Sequence, residues 1–466
     1  MCGIAGAFKA PTADVGKMLD LIQHRGPDAK GLKEEGQGIY GHVRLSLRDL
    51  SSASDQPFVT DRGSVLCFNG EIWNWRELRS LLEDLNYDFQ TTGDTEVLAN
   101  LLDHYGVEEA LKKVRGMFAF SWHSNTEQVL GRDAFGEIPI YLASTKTGFI
   151  WASERKAFVG AGIPKGRPEA LKPGYILDLS KRQLRKWYSI KKYSNQVSPT
   201  SITTMLDRGV RERMDSDAKT GVLISGGLDS SIILALACRQ LGANNVTAFT
   251  SVFDESSEDL AAARKLCKWL GVKLIEAYTL VTEKAIHDSM DTVEIASKVQ
   301  IEIGVLCMPL AQKVREAGFK AVLSGEAADE LFGGYGNFCI WASSHKNDPS
   351  AIRERRLAEL HKMSRGNFVR CNKVFMSKGV EIRLPFMDQE LVEAATSMDL
   401  TQSPTGKKIL KDSAQKYLPE WVGKRVKQTF QGGSGVSEYI IKRLIKNPLK
   451  FYNSEMKKKY GYLPKE

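Results

Sequence analysis

The sequence predicts two folds in one chain. Residues 1–190 read as an α+β domain of antiparallel sheets flanked by helices. Residues 200–466 read as an α/β domain on a parallel sheet, with a helical C-terminal part. Three observations carry the division. Short strand-like runs separated by Gly, Asn, Asp and Ser clusters fill residues 1–185. Strands alternate with helices from residue 220, the pattern of a parallel sheet covered on both faces. Between them, residues 189–200 are polar, carry Pro199, and read as a linker.

Taken in order, the first domain opens with the strand-like runs GIAGAF, GIYGHVRLSL and SVLCFNG. Helical periodicity follows at 73–86 and 95–104, and MFAFSWH, QVLGRD, IPIYLA and FIWAS read as further strands. Residues 159–175 are rich in Pro and Gly and read as loop. In the second domain TGVLIS is a buried strand and LDSSIILALACRQLG a helix. VTAFTSVF, SEDLAAARKLCKWLG and KLIEAYTL continue the alternation, and KAVLS at 320–324 is a fourth strand. From about residue 350 the pattern is mostly helical.

The chain has 466 residues, 42% hydrophobic and 26% charged, which suits a globular protein with a large core and no need of disulfides. No run approaches 18 apolar residues, so no membrane helix is expected. The N-terminal MCGIAGAFKAPTAD lacks a basic region and a long apolar stretch, so no secretory leader is expected. Seven cysteines without a CxxC pair argue against a disulfide framework or zinc site and for a reducing, cytoplasmic compartment. Cys238, Cys267, Cys307 and Cys339 read as small core residues. The net charge is +9, and residues 401–466 alone hold fifteen Lys or Arg against five Asp or Glu. A basic tail of this kind is a solvated face or a phosphate-binding one. No aromatic-interleaved basic motif supports nucleic acid as a partner.

Two constellations carry chemistry. The first begins at Met1-Cys2-Gly3, where removal of the initiator Met leaves Cys2 with a free α-amine. Amine and thiol on one residue make a self-contained nucleophile, the amine serving as base. Polar clusters follow at His24-Arg25-Gly26-Pro27-Asp28, Arg44-Leu45-Ser46, Asn69-Gly70-Glu71 (after the strand VLCF) and Thr92-Gly93-Asp94. Singly, each reads as a turn or a surface ion pair. In this order, with GMFAF and GRDAFGEIPIY, residues 2–160 resemble the glutaminase domain of class II glutamine amidotransferases, an N-terminal-nucleophile fold.

That resemblance implies that Cys2 attacks the glutamine side-chain amide and releases ammonia. It implies an oxyanion hole from the Asn69 amide and the Gly70 N–H, donors of the kind that intermediate needs. It gives Arg44 to the glutamine α-carboxylate and Asp94, Glu71 and Asn69 to its amine and amide ends. Arg25 and Asp28 are left to order the loop over the site.

The second constellation is Ser225-Gly226-Gly227-Leu228-Asp229-Ser230-Ser231, between a strand and a helix. Glycines let the backbone approach phosphates, and a helix N-terminus supplies N–H donors. No Lys-Ser/Thr stands at Walker A spacing. A second cluster, Ser324-Gly325-Glu326 through Asp329-Glu330-Leu331-Phe332-Gly333-Gly334-Tyr335, follows another strand. The first resembles the pyrophosphatase loop of enzymes that cleave ATP between its α and β phosphates. Both together, behind the glutaminase motifs, resemble the asparagine synthetase family, as do residues 372–388, 407–419 and 424–430.

The resemblance implies ATP and Mg²⁺, with Asp229 and Asp329 as hard oxygen ligands of the metal. Leu223 and Ser251 would lie near the adenine. Ser225, Gly226, Gly227, Ser230, Ser324 and Gly325 would bind the nucleotide and pyrophosphate. Glu326 would deprotonate the incoming ammonium, and Lys427 would neutralise the leaving pyrophosphate. The small-molecule partners implied are glutamine, ATP and a carboxylate acceptor, most simply aspartate, and the resemblance allows a homodimer.

One stretch departs from the family. Where a Thr-x-Arg-Ala-Ser-like segment is usual, this chain reads Ser297 to Gly304, with Glu302 at the Arg position in an ungapped alignment. A carboxylate there would repel aspartate unless Lys298 or another cation compensates. The other expectation is a solvated Glu302 on a helical surface. The departure keeps a second acceptor open, such as a sugar uronic acid. An intramolecular cyclase like β-lactam synthetase is disfavoured by the intact Cys2, Arg44, Asn69 and Asp94 set.

Overall fold

The computed structural model describes residues 1–160, 167–400, 407–425 and 435–464. They fall into two compact units. Met1–Ser189, Cys371–Glu381 and Asn453–Lys465 form the first, and Ile190–Arg370 with Ile382–Tyr452 the second.

The first unit holds two six-stranded antiparallel sheets. Their strands are β1 Gly3–Phe8, β2 Ala29–Glu35, β3 Gly38–Arg44, β4 Phe58–Val59, β5 Val65–Ile72 and β6 Gly116–His123. The others are β7 Gln128–Arg132, β8 Tyr141–Ser144, β9 Phe149–Ala152, β10 Glu169–Ala170, β11 Tyr175–Asp178 and β12 Gln183–Lys186. One sheet runs β10-β8-β9-β1-β3-β2 and the other β12-β11-β7-β6-β5-β4. β10 falls inside the stretch read as loop, a two-residue pairing too short to leave a pattern.

The sheets stack face to face, and both faces of their central strands are buried. His42 of β3 reaches the Phe68 carbonyl of β5 at 3.2 Å, and the Tyr40 ring lies 5.6 Å from His123 of β6. The outer faces take helices. Val15, Met18 and Leu19 pack on Ala5, Ala7 and Val43 of the first sheet. On the second sheet, Leu78 and Leu82 of helix Trp75–Glu83 and Leu98, Leu101 and Leu102 of helix Asp94–Tyr105 cover Leu66, Phe68, Phe118 and Phe120. Each Leu so buried contributes roughly 1.5–3 kcal/mol. The result is a helix–sheet–sheet–helix stack.

The five-stranded sheet comprises β13 Thr220–Leu223, β14 Thr247–Val252, β15 Lys273–Tyr278, β16 Ala321–Leu323 and β17 Glu381–Arg383, in the order β15-β14-β13-β16-β17. The pairs β13–β14, β14–β15 and β13–β16 are parallel. Four of these strands are the expected ones. The fifth, β17, is three residues long with a charged residue at each end, and nothing in that triplet announces a strand. Chain order reverses at β13, whose neighbours are the next strand on one side and β16 on the other. Such a switch point opens a crevice at the carboxyl ends of the strands. After residue 350 the described chain is mostly helical, as expected. Of the four cysteines read as core, Cys267 is buried while Cys238, Cys307 and Cys339 are partly exposed.

Candidate active sites

In the first unit Cys2 stands immediately before β1. Its N–H donates to Asn69 Oδ1 at 2.8 Å, its carbonyl accepts from Arg25 Nε at 2.9 Å, and its thiol lies 3.9 Å from the Leu45 carbonyl. Burial pushes the thiol's pKa up, and the chain's terminal ammonium pulls the other way. Met1 precedes it, fully buried, with its ammonium paired to the Glu381 carboxylate.

Asn69, Gly70 and Glu71 lie within β5, not beyond its end as the polar run suggested. They sit in the strand because β5 pairs with β6 along its whole length, Gly70 opposite Phe118. A Cβ on Gly70 would strike the Met117 carbonyl, so only glycine fits this close pairing. Asn69 Nδ2 donates to Ser153 Oγ at 3.4 Å.

Cys2, Arg44, Gly70, Glu71 and Asp94 line one narrow pocket, with Leu45, Arg48, Phe68 and Thr95. Asp94 opens its helix, and its Oδ2 accepts from the Ile72 N–H at 2.8 Å. Burial pushes the Asp94 carboxyl's pKa up against the opposing pull of Arg48. Arg44 is engaged elsewhere in this state. Its Nη1 donates to the Ser51 carbonyl and to Asp55 Oδ1, each at 2.6 Å, and its Nη2 to the Asp49 carbonyl.

Arg48 went unnoticed in the sequence. Its Nε lies 3.5 Å from Glu71 Oε2, both side chains are nearly fully buried, and its guanidinium covers the Trp75 ring at 4.9 Å. The only signal was its place four residues after Arg44. Arg48→Met leaves the buried Glu71 and Asp94 without this counter-charge. The unit's unfolding free energy, measured in denaturant, is expected to fall by about 3 kcal/mol.

Arg25 and Asp28 tie down the neighbouring loop. Arg25 Nη1 pairs with Glu154 at 2.9 Å and Nη2 donates to Asn372 Oδ1 at 2.8 Å. Asp28 Oδ2 accepts from the Ser46 N–H at 2.8 Å. Burial opposes charge on Glu154, but Lys156, His24 and Arg25 outweigh it and hold its pKa well below the ordinary carboxylate range. Buried His42, beside Arg44, has its pKa pushed down to about 3 by desolvation and stays neutral.

In the second unit the loops after β13 and β16 meet at the crevice. Gly226 takes φ +73°, and a Cβ there would lie 2.7 Å from the Asp259 carbonyl. The turn delivers Gly227 as N-cap of helix Leu228–Leu241. Ser225 Oγ and Ser230 Oγ are 3.1 Å apart, and Ser225 and Ser251 line one pocket with Thr250, Phe253, Ser257 and Leu306. Ser251 Oγ donates to the Leu306 carbonyl at 3.1 Å. Leu223 is the half-buried last residue of β13. Gly325 packs against the first loop, its notional Cβ 2.9 Å from the Ser230 nitrogen, and Ser324 Oγ accepts from the Glu326 N–H at 3.3 Å.

Asp229 and Asp329, one from each loop, share one cation. The Lys407 ammonium pairs with Asp229 Oδ2 and lies 2.6 Å from Asp329 Oδ1. Burial disfavours this charge, but the two carboxylates outweigh it and push the pKa above the ordinary lysine value. Lys407 stands 178 residues from Asp229 in the sequence, so no local pattern links the two. Arg425, also unassigned, donates to the Gly226 carbonyl at 2.6 Å and pairs with Asp259 at 2.8 Å. Lys427 lies outside the described residues. Lys457, Lys458 and Lys459 are exposed, as a solvated face requires.

Glu326 accepts on Oε1 from Asn367 Nδ2 at 2.8 Å, and the same oxygen forms an ion pair with Arg370 Nη2 at 3.1 Å. Beside it, burial together with the Glu326 and Asp329 charges pushes the Glu330 carboxyl's pKa up to about 7.

Glu302 corrects an expectation. It is fully buried in helix Lys298–Glu316, not solvated. Lys298 one turn earlier pairs with its Oε2 at 3.0 Å. The compensating cation is therefore present inside the same helix.

Among the described residues no group of three or more His, Cys, Asp or Glu could hold a metal, and no helix is long and apolar enough to cross a membrane. Two carboxylates suffice for Mg²⁺ when phosphate oxygens and water supply the rest, so Asp229 and Asp329 fit the ion the resemblance implies.

Comparison with known proteins agrees along the whole chain. The glutamine amidotransferase domain family matches residues 1–209, and the asparagine synthase family residues 201–351 and 340–466. The glutamine-hydrolysing asparagine synthetase of Triphysaria versicolor is 31% identical over 472 residues, covering 94% of this chain and 78% of the relative. That of Asparagus officinalis is 30% identical over 495 residues, covering 97% and 82%. Asparagine synthetase 1 of Arabidopsis thaliana is 30% identical over 470 residues, covering 94% and 79%.

Proposed function

Since the chain belongs to the glutamine-hydrolysing asparagine synthetase family, we propose that it amidates aspartate to asparagine, using glutamine as nitrogen donor and ATP as the source of activation. The observation that carries this reading is the convergence of Asp229 and Asp329 on one cation at the crevice where β13 and β16 end.

Residues 1–190 act as the glutaminase and residues 200–466 as the synthetase. With Met1 removed, the Cys2 amine serves as base for its own thiol. Sγ attacks the glutamine amide carbon, ammonia leaves, and water hydrolyses the thioester to glutamate. Asn69 and the Gly70 N–H hold the oxyanion, and Arg44, Glu71 and Asp94 bind the amino-acid end. Arg44 can turn to substrate because its present partners are loop carbonyls and the half-exposed Asp55.

At the second site the aspartate β-carboxylate attacks the α-phosphorus of ATP, and the bond to the β-phosphate breaks. Ser225, Gly226, Gly227 and Ser230 cradle the departing pyrophosphate, with Ser324, Gly325 and Lys407 beside it, and to Lys427 falls the neutralisation of its charge. Leu223 and Ser251 flank the adenine. Asp229 and Asp329 would hold Mg²⁺, which would supply neutralisation of phosphate charge when bound. Glu326 takes a proton from ammonium, ammonia attacks the acyl carbon, and AMP leaves with asparagine formed. The cytoplasm is the proposed site of action.

Turnover with glutamine, Mg·ATP and a panel of carboxylic acids tests the acceptor. Aspartate is expected to give AMP, glutamate and asparagine in equal amounts. AMP formation with a uronic acid and none with aspartate would transfer the reading to the other acceptor that Glu302 left open.

A further inference from the structure

The segment that departs from the family pattern contributes one more side chain to the synthetase centre. Gln300, almost fully buried, lies two residues before Glu302 on a different face of the same helix. Its Oε1 accepts from Arg370 Nη1 at 3.2 Å, and its Nε2 donates to Asn367 Oδ1 at 2.9 Å. Asn367 Nδ2 in turn donates to Glu326 Oε1, and Arg370 Nη2 closes the ring on that same oxygen. No described residue donates to Glu326 Oε2.

The polarity of this ring has one solution. A guanidinium can only donate, so the Gln300 atom facing Arg370 is the carbonyl oxygen. The Gln300 NH₂ then faces Asn367, which must present its own carbonyl there and its NH₂ to Glu326. The reversed Asn367 amide would point its oxygen at Glu326 and at Glu330, whose Oε1 lies 3.5 Å from the same nitrogen. Resting on the reading of Glu326 as the base, we infer that Gln300 is a positioning residue: it passes the donor polarity of Arg370 to Asn367 and so keeps an N–H donor on the Glu326 carboxylate. Oε1 is anchored and Oε2 left for the ammonium.

The test compares near-isosteric variants of the full chain. Gln300→Met removes the relay and Gln300→Glu reverses its polarity toward Asn367. Each is assayed for ammonia-dependent amidation, for ATP–pyrophosphate exchange with aspartate, and for its unfolding midpoint. Amidation kcat is expected to fall about tenfold in Gln300→Met and further in Gln300→Glu, with exchange within about threefold of the parent in both. A residue that only packs would lower exchange and amidation together, and that result overturns the inference. Glu326→Gln is run alongside. If it abolishes amidation while both Gln300 variants amidate normally, the inference fails and the base reading survives. If Glu326→Gln amidates normally, the base reading fails and takes the inference with it.

Discussion

Cys2→Ala is expected to abolish glutamine-driven amidation while ammonia-driven amidation continues at the parent rate. The change removes one sulfur atom from a buried position before β1, and the bonds that hold the segment are backbone bonds to Asn69 and Arg25. Alanine keeps both, so the pocket keeps its shape. What disappears is the sulfur proposed to form the thioester, and loss of a covalent nucleophile costs at least about 10³-fold. Assays with glutamine and with ammonium chloride on the same preparation separate the two routes. Equal loss of both in a folded variant would contradict the assignment of separate nitrogen-releasing and nitrogen-consuming sites.

Asp329→Asn is expected to prevent adenylate formation, lowering pyrophosphate release by about 10³-fold or more, with glutaminase activity retained. Asp329 and Asp229 together balance the buried Lys407 ammonium. With an amide at 329, one carboxylate must serve both the lysine and the metal, and the phosphates lose a charged anchor for Mg²⁺. Excess Mg²⁺ should recover only part of the rate. Unchanged pyrophosphate release would remove Asp329 from the metal site.

Much of this was legible in the sequence, where short-range rules apply. The strand–glycine–helix grammar at 221–231 located the turn proposed to cradle phosphates, because Gly226 must hold a positive φ and Gly227 must cap the helix. The ordered polar clusters from Cys2 to Asp94 located the first pocket, which gathers Cys2, Arg44, Gly70, Glu71 and Asp94 around one cavity, with Asn69 bound to Cys2 and the His24–Asp28 cluster outside the lining. What escaped depends on distance in sequence. Lys407 meets Asp229 only after the chain has folded back across 178 residues. The Asn69–Glu71 run looked like a strand end, since Asn and Gly usually terminate strands, yet pairing with β6 carries the strand through it. Glu302 with Lys298 is a spacing that suits a solvated helix face, and only packing buries it.

Nitrogen freed at Cys2 is proposed to be spent on the acyl-adenylate by the same polypeptide. Glutamine carrying ¹⁵N in its side-chain amide, turned over with Mg·ATP and aspartate in the presence of excess unlabelled ammonium, tests it. Asparagine retaining nearly all of the label is the predicted result. Label diluted to the isotopic composition of the bulk ammonium would contradict it.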